Sequence, residues 1–141
     1  MSGADSMVDA EGAVREYLLT EEVNSRITAS ADRIDVVLYE FNSDSPRTSL
    51  MVRDSGGVGE TYMRLDNAFV QVWVRSSDPD DAKKIIARVD DELHQLGPKA
   101  ISSTVYCLKM LRNTGRQRLD DPHNKLVQYF IIYDTTMRRI S

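Results

Sequence analysis

The strongest strand segments of this 141-residue sequence are apolar at both sets of alternating positions. In the segment 68–75 (Ala-Phe-Val-Gln-Val-Trp-Val-Arg), three valines alternate with Phe69, Gln71 and Trp73. The segment 126–133 (Leu-Val-Gln-Tyr-Phe-Ile-Ile-Tyr) is similarly apolar at both sets. Because successive side chains of a strand point to opposite faces, a sheet built from these segments has two apolar faces to bury. Helices of the same chain can cover one face. For the second, the pattern leaves two alternatives, a subunit interface or a sheet that curls into a half-barrel.

Three segments have the spacing and end signals of helices. From Asp9, apolar residues recur every three or four positions up to Leu18, and Asp9 itself is a candidate N-cap. A short second helix is expected from Thr20 to about Ile27. The clearest helix follows Ser77-Asp78-Pro79, which supplies a cap and acidic first-turn residues, and Gly97-Pro98 should end it. Its expected buried stripe consists of Ala82, Ile85, Ile86, Val89, Leu93 and Leu96.

Five further segments predict strands, and the connections between them are rich in turn residues. Expected strands cover residues 34–41, 48–53, 62–75, 101–112 and 126–137. Residues 42–47, 54–60 and 113–125 are expected to be flexible loops that order on contact with other proteins. The order predicts an α+β fold, with a largely antiparallel sheet of about five strands packed against two main helices. We expect one domain over residues 9–141, preceded by a flexible N-terminus at 1–8.

Charge and composition exclude several classes of protein. The formal net charge is −4 and the isoelectric point is about 5.2, which argues against tight binding of nucleic acid. The single Cys107 cannot form an intramolecular disulfide and is expected to be a small buried apolar residue. No apolar stretch approaches the roughly 18 residues of a membrane span, and the first residues do not resemble a signal peptide. A cytoplasmic setting fits these features.

Catalytic and metal-binding patterns are weak. His94 lies on the polar side of the clearest helix, where a solvated histidine favoured by the helix dipole is the simpler interpretation. His123 follows Asp120 and Asp121, which is either a polar turn or the site of a small α+β enzyme. The segment 55–59 lacks the ending of a phosphate-binding loop and is expected to be a hairpin turn. We therefore predict no catalytic residue, no bound metal and no cofactor.

Basic residues cluster near the C-terminal end of the sequence. Lys109 belongs to this cluster, and Arg138-Arg139 lie close to the end of the chain. Runs of acidic residues at 78–81 and 90–92 balance them. Such a patchwork favours specific protein–protein docking over nucleic-acid binding, although scattered solvated charge explains any one residue equally well. The candidate docking residues, all in the expected loop or at its border, are Arg112, Arg116, Arg118, Asp120 and Asp121.

The second half of the chain combines several motifs in a fixed order. A strand carries Gln71 and Arg75 in the spacing Gln-x-x-x-Arg, and an Asp-led helix with an early Ala and a late Leu follows. A strand, a loop with Asp120 and Asp121, and a long apolar strand complete the pattern. Over about residues 62–137, this pattern resembles the tail terminators of long-tailed bacteriophages, also called minor capsid or tail-completion proteins.

This resemblance implies a structural virion protein that forms a hexameric ring on the last ring of the tail tube. The ring would stop tube polymerisation and present a docking surface to the head-completion proteins of the neck. DNA would only pass through its lumen, and no membrane or cofactor would be involved. Another head–tail joining component, such as a stopper or a tail-tube subunit, is the nearest alternative. A heterologous ring interface needs apolar anchors, and the candidates are Phe69, Trp73, Tyr129 and Tyr133.

Overall fold

A computed structural model of the chain describes residues 9–28, 34–37, 48–60, 65–121 and 126–140. Its helices are α1 (Ala10–Leu19), α2 (Glu21–Thr28) and α3 (Pro79–Leu93). Its strands are β1 (Ile34–Val37), β2 (Thr48–Glu60), β3 (Leu65–Ser76), β4 (Lys99–Ala100), β5 (Val105–Asp121) and β6 (Leu126–Arg139). The α+β prediction is confirmed.

The strands form one sheet in the order β1-β2-β3-β6-β5-β4. β1 runs parallel to β2, and every other neighbouring pair is antiparallel. The expectation of about five largely antiparallel strands is therefore correct, with the two-residue β4 as an addition. None of the described helices is long and apolar enough to cross a membrane.

The three helices share one hydrophobic core with a single face of the sheet. Val70, Val72 and Val74 of β3 are completely buried in this core. Their partners on β6 are Tyr133, Ile131 and Tyr129, which therefore lie on the same face. We call this the core face. Burying such a side chain contributes about 1.5–3 kcal/mol relative to leaving it exposed, so the core face supplies much of the stability of the fold.

Helix α3 begins as its sequence indicates but ends earlier. The Asp78 side chain accepts a hydrogen bond from the backbone N–H of Asp80 at 2.9 Å, and Pro79 occupies the first turn. The helix ends at Leu93, three residues before the last position of the expected stripe, and His94 is its C-cap. Leu96 is nevertheless buried by the turn that follows. At the other end of the chain, the predicted Asp9 cap is confirmed, because its side chain accepts from the N–H of Gly12 at 2.9 Å.

Two segments expected to be loops are extensions of strands. β2 continues through the glycine-rich segment to Glu60, with an irregularity between Asp54 and Gly57. β5 continues through the polar segment 113–121, pairing with β6 as far as Asp121. Both corrections have the same cause, since each polar segment lies opposite a strand that is itself held in the core. The expected loop at 42–47 and the N-terminus at 1–8 lie outside the described residues.

Candidate assembly surfaces

The sheet face opposite the core face carries apolar side chains that none of the described helices covers. Trp73 and Phe130 are directly opposite each other on β3 and β6, and their rings stack with centroids 4.4 Å apart. The Trp73 indole N–H donates to Gln71 Oε1 at 2.9 Å, which holds the ring against its neighbour. We call this the open face. Its other large apolar residues include Met51, Phe69, Leu111, Leu119 and Ile132.

Exposure is graded across the open face. At the β1 end, Ser49, Met51 and Arg75 are buried. Leu119, level with Ser49 but on β5, is 52% exposed, and Phe69, further along β3 from Arg75, is 39% exposed. A graded, partly exposed apolar face with aromatic residues near its centre is typical of protein–protein interfaces.

The structure separates the four predicted interface anchors into two pairs. Phe69 and Trp73 lie on the open face, as an interface would require. Tyr129 and Tyr133 lie on the core face and are 8% and 0% exposed. These two tyrosines are core residues, and the prediction that they anchor a neighbouring subunit does not fit their burial. The sequence shows alternation along each strand, but only the β3–β6 register shows which positions share a face.

Tyr133 belongs to a polar cluster that joins α3 to β5. Its hydroxyl donates to Asp90 Oδ1 at 2.8 Å, and the Arg112 guanidinium donates to the other oxygen of the same carboxylate. Burial, followed by this contact with Asp90, raises the pKa of Tyr133 well above its ordinary value. The backbone N–H of Arg112 donates to His94 Nδ1 at 3.1 Å. His94 is therefore a linker between the helix and the strand, a role beyond the solvated position expected of it.

Beyond Arg112, the end of β5 and the start of β6 form a two-stranded arm, which we define as Thr114–Asp121 with Leu126–Ile132. All described side chains of its β5 half are exposed except that of Thr114, which is half-buried. Register shifts occur between Arg112 and Thr114 and between Thr114 and Gln117. The arm is thus a ribbon held by the apolar side chains of β6, in place of the flexible loop expected there.

The candidate docking residues are distributed along this part of β5. Arg112 is engaged with Asp90 at the base of the arm. Arg118 donates to Asp120 at 2.8 Å, and this pairing raises the pKa of the guanidinium further. Arg116 lies over the Tyr129 ring, with its guanidinium carbon 5.6 Å from the ring centroid, a favourable cation–π arrangement. Asp121 is paired with Leu126 at the tip.

Among the described residues, no group of three or more His, Cys, Asp and Glu side chains is placed to hold a metal ion. His123, the centre of the alternative enzymatic hypothesis, lies outside the described residues. Cys107 is fully buried and its thiol donates to the Leu96 carbonyl at 3.7 Å. Burial raises the pKa of this thiol to about 11, which opposes formation of the reactive thiolate.

Comparisons with known proteins agree with this architecture. The chain is similar over 92% of its length to a protein from the virion of a native gene transfer agent particle, with a TM-score of 0.59. The similarity covers 94% of that protein at 13% sequence identity, which establishes a shared fold. No curated protein sequence matches the chain.

A family model described as bacteriophage tail terminator protein matches residues 23–110, more than half of the chain. The match runs from α2 into β5 and stops before the arm. It overlaps the resemblance seen in the sequence over residues 62–110. The chain therefore belongs to the bacteriophage tail terminator family and is a structural protein of the phage tail.

Proposed function

We propose that this protein caps the tail tube as a six-membered ring. The ring ends tube polymerisation at the head-proximal end of the tail and forms the surface on which the head-completion proteins dock. Packaged DNA passes through its lumen. The observation that carries the proposal is the open face, a partly exposed apolar sheet face with a stacked Trp73–Phe130 pair, in a chain that belongs to the tail terminator family.

The open face supplies the apolar area of the subunit interface. Phe69 and Trp73 are its proposed anchors, and Phe130 joins them because its ring stacks on Trp73. Aromatic residues near the centre of an interface usually carry much of its binding energy. A closed ring brings different patches of neighbouring subunits together, so the open face of one subunit meets a different patch of the next.

The arm is the proposed docking element for the neck. It places Arg116, Arg118 and Asp120 on an exposed ribbon, where their side chains are accessible to a partner. Mixed charge of this kind gives specificity and speeds encounter with a complementary partner. The net charge of −4 keeps the subunit as a whole from binding the DNA that passes through the ring.

Light scattering followed by negative-stain imaging tests the ring. We expect six-membered rings with a central hole, either free or on purified tail tubes. Long tubes formed by this protein alone would identify a tube subunit instead. Deleting the gene should give tails of variable length, and tails of uniform length would contradict the capping role.

A matched pair of substitutions tests the open face. Phe69→Asp places a charge on the proposed interface and should prevent ring formation without unfolding the subunit. Leu19→Asp is the control, because Leu19 is similarly exposed (43%) but lies at the end of α1. Equal assembly by the two variants would remove the open face from the interface.

Docking to the neck has its own test. The double reversal Arg116→Glu with Arg118→Glu should give capped tails that fail to join heads, counted as free tails in lysates. The control is Arg138→Glu with Arg139→Glu, which changes the net charge equally near the other end of β6. Equal head joining by both double variants would contradict a docking role for the arm.

A further inference from the structure

The outer edge of β5 is covered along its first half and uncovered along the arm. β4 pairs with Tyr106 and Cys107. The turn after α3 covers the next stretch, where the N–H of Gln95 donates to the Met110 carbonyl at 2.8 Å and His94 accepts from Arg112. From Thr114 to Asp121, no described strand or turn pairs with this edge.

The same contacts show which backbone groups of the arm point outward. The carbonyl of Met110 and the N–H of Arg112 point away from β6. The β6 partners of these two residues are Thr135 and Tyr133. In an antiparallel pair, such residues alternate with those that exchange hydrogen bonds. Continuing by twos along β6 leads to Tyr129 and Val127. Their partners, Arg118 and Asp120, therefore present free backbone N–H and C=O groups to the outside of the sheet.

In the described residues, the opposite edge of the sheet, formed by β1 and β2, projects where the β5 edge is uncovered and is itself uncovered where the β5 edge is covered. β1 covers β2 only at Thr48–Met51. Reading the register across the sheet, Ser49 lies level with Arg75, then Gln128, then Leu119. β1 thus projects from one edge at the height where β5 is uncovered at the other edge. Within the described residues, β2 beyond Met51 has no neighbour on its outer side. At this same position along the strands, β4 and the turn after α3 project from the opposite edge.

We propose that the arm of each subunit adds to the β1 edge of the next subunit, so that the sheet continues from copy to copy around the ring. This inference rests on the proposed ring: it assigns the backbone edge of the arm to the neighbouring subunit and leaves the side chains of the arm and of the open face for the contacts proposed above. The strand directions allow it, because β1 runs parallel to β2 and opposite to β5, so the new pair is antiparallel. The pairing joins two different edges, which is the heterologous contact that a closed ring needs.

Pairing of the arm with the arm of a second copy is the competing arrangement. Such a two-fold pairing closes a dimer and leaves both β1 edges unpaired, so it cannot continue into the proposed ring. The register shifts along the arm also bend the edge, which protects it from indiscriminate strand addition. The occupant that fits is therefore the β1 edge of a second copy.

Two substitutions at one residue separate backbone pairing from side-chain effects. Arg118→Pro removes an outward N–H while leaving the β6 ladder intact, since proline is tolerated on a strand edge whose N–H faces outward. Arg118→Ala removes the side chain and keeps that N–H. We expect Arg118→Pro to need at least about tenfold more protein for half-maximal ring formation, while Arg118→Ala remains close to wild type. Far-ultraviolet circular dichroism and the fluorescence of Trp73 check that both variants are folded.

Mixing the Arg118→Pro variant with wild-type protein gives a result that an unfolded variant would not give. An Arg118→Pro subunit retains its β1 edge, so it accepts one wild-type arm but cannot extend the ring further. Small amounts of the variant should therefore convert wild-type rings into open arcs in negative-stain images. Hydrogen exchange should show slower amides at 34–37 and 114–121 in rings than in dilute subunits.

The outcomes distinguish this inference from the proposed function. If the wild-type protein forms no ring, free or on tubes, the proposed function fails and this inference fails with it. If rings form and the proline and alanine variants assemble equally, the sheet continuation is wrong while the ring stands. Protection of 114–121 only on addition of tube or neck proteins would also overturn it, because a different partner would then occupy the edge.

Discussion

Replacing Tyr133 by phenylalanine removes one buried hydroxyl and leaves the ring that fills the core. The ring is completely buried, and the hydroxyl donates to Asp90 Oδ1 at 2.8 Å. A hydrogen bond to a charged group contributes about 1.5–3 kcal/mol. Asp90 keeps its contact with Arg112 and remains partly accessible to water, so the substitution does not strand a buried charge. We therefore expect Tyr133→Phe to lower the free energy of unfolding by about 1.5–2.5 kcal/mol.

Urea denaturation, followed by circular dichroism, measures this loss. For a chain of this size, the corresponding decrease in melting temperature is about 5–8 °C. Tyr106→Phe is the control, because Tyr106 keeps its ring contact with Arg138 and its hydroxyl makes no hydrogen bond among the described residues. A double-mutant cycle with Asp90→Ala should give a coupling energy of at least about 1 kcal/mol. If Tyr133→Phe costs no more than Tyr106→Phe, the link between α3 and β6 through Asp90 does not stabilise the fold.

Three further predictions concern other parts of the same fold. Burial raises the pKa of the Cys107 thiol to about 11 from an ordinary value of 9.0. As the pH rises, the thiol therefore loses its proton in the unfolded state first, and the free energy of unfolding falls between pH 9 and pH 11. The loss should approach about 2–3 kcal/mol above pH 11. Cys107→Ala, compared with the wild type by urea denaturation at pH 8 and pH 11, should lack this part of the decline. Gly97→Ala should cost about 2 kcal/mol or more, because φ is +108° and an added Cβ would lie 2.8 Å from the Cys107 carbonyl oxygen. Gly115→Ala should leave the melting temperature nearly unchanged, because there is open space around Gly115. Equal losses of stability at the two glycines would contradict the steric argument. Asp78→Ala should cost about 1 kcal/mol by removing the α3 cap, and a change below about 0.3 kcal/mol in the same melting assay would show that another group satisfies the Asp80 N–H.

Much of the fold follows directly from the sequence, because local signals and burial agree there. In α3, the cap at Asp78, the proline after it and the apolar stripe all indicate the same element. β3 and β6 are equally clear, since apolar residues at both sets of alternating positions suit few structures other than a central strand. The α+β class and the tail terminator family could therefore be predicted from the sequence.

The arm could not be predicted in the same way. Residues 113–121 are polar apart from Leu119, contain Gly115 and carry several charges, all of which are typical of a loop. They are a strand because β6 lies beside them and its apolar side chains are held in the core. β2 likewise passes through a glycine-rich segment because β3 pairs with it as far as Glu60. In both segments, a tertiary pairing overrides the local preference.

The sequence by itself determined that this chain has more apolar strand surface than its own helices can bury, because alternation along a strand is a local property. Only the tertiary structure decided which of these apolar residues the helices leave uncovered. The register between β3 and β6 places Trp73 and Phe130 on the open face and Tyr129 and Tyr133 in the core. Likewise, only the order of the strands reveals two stepped edges that match each other. Register and strand order depend on contacts between residues far apart in the sequence, so no local pattern encodes them.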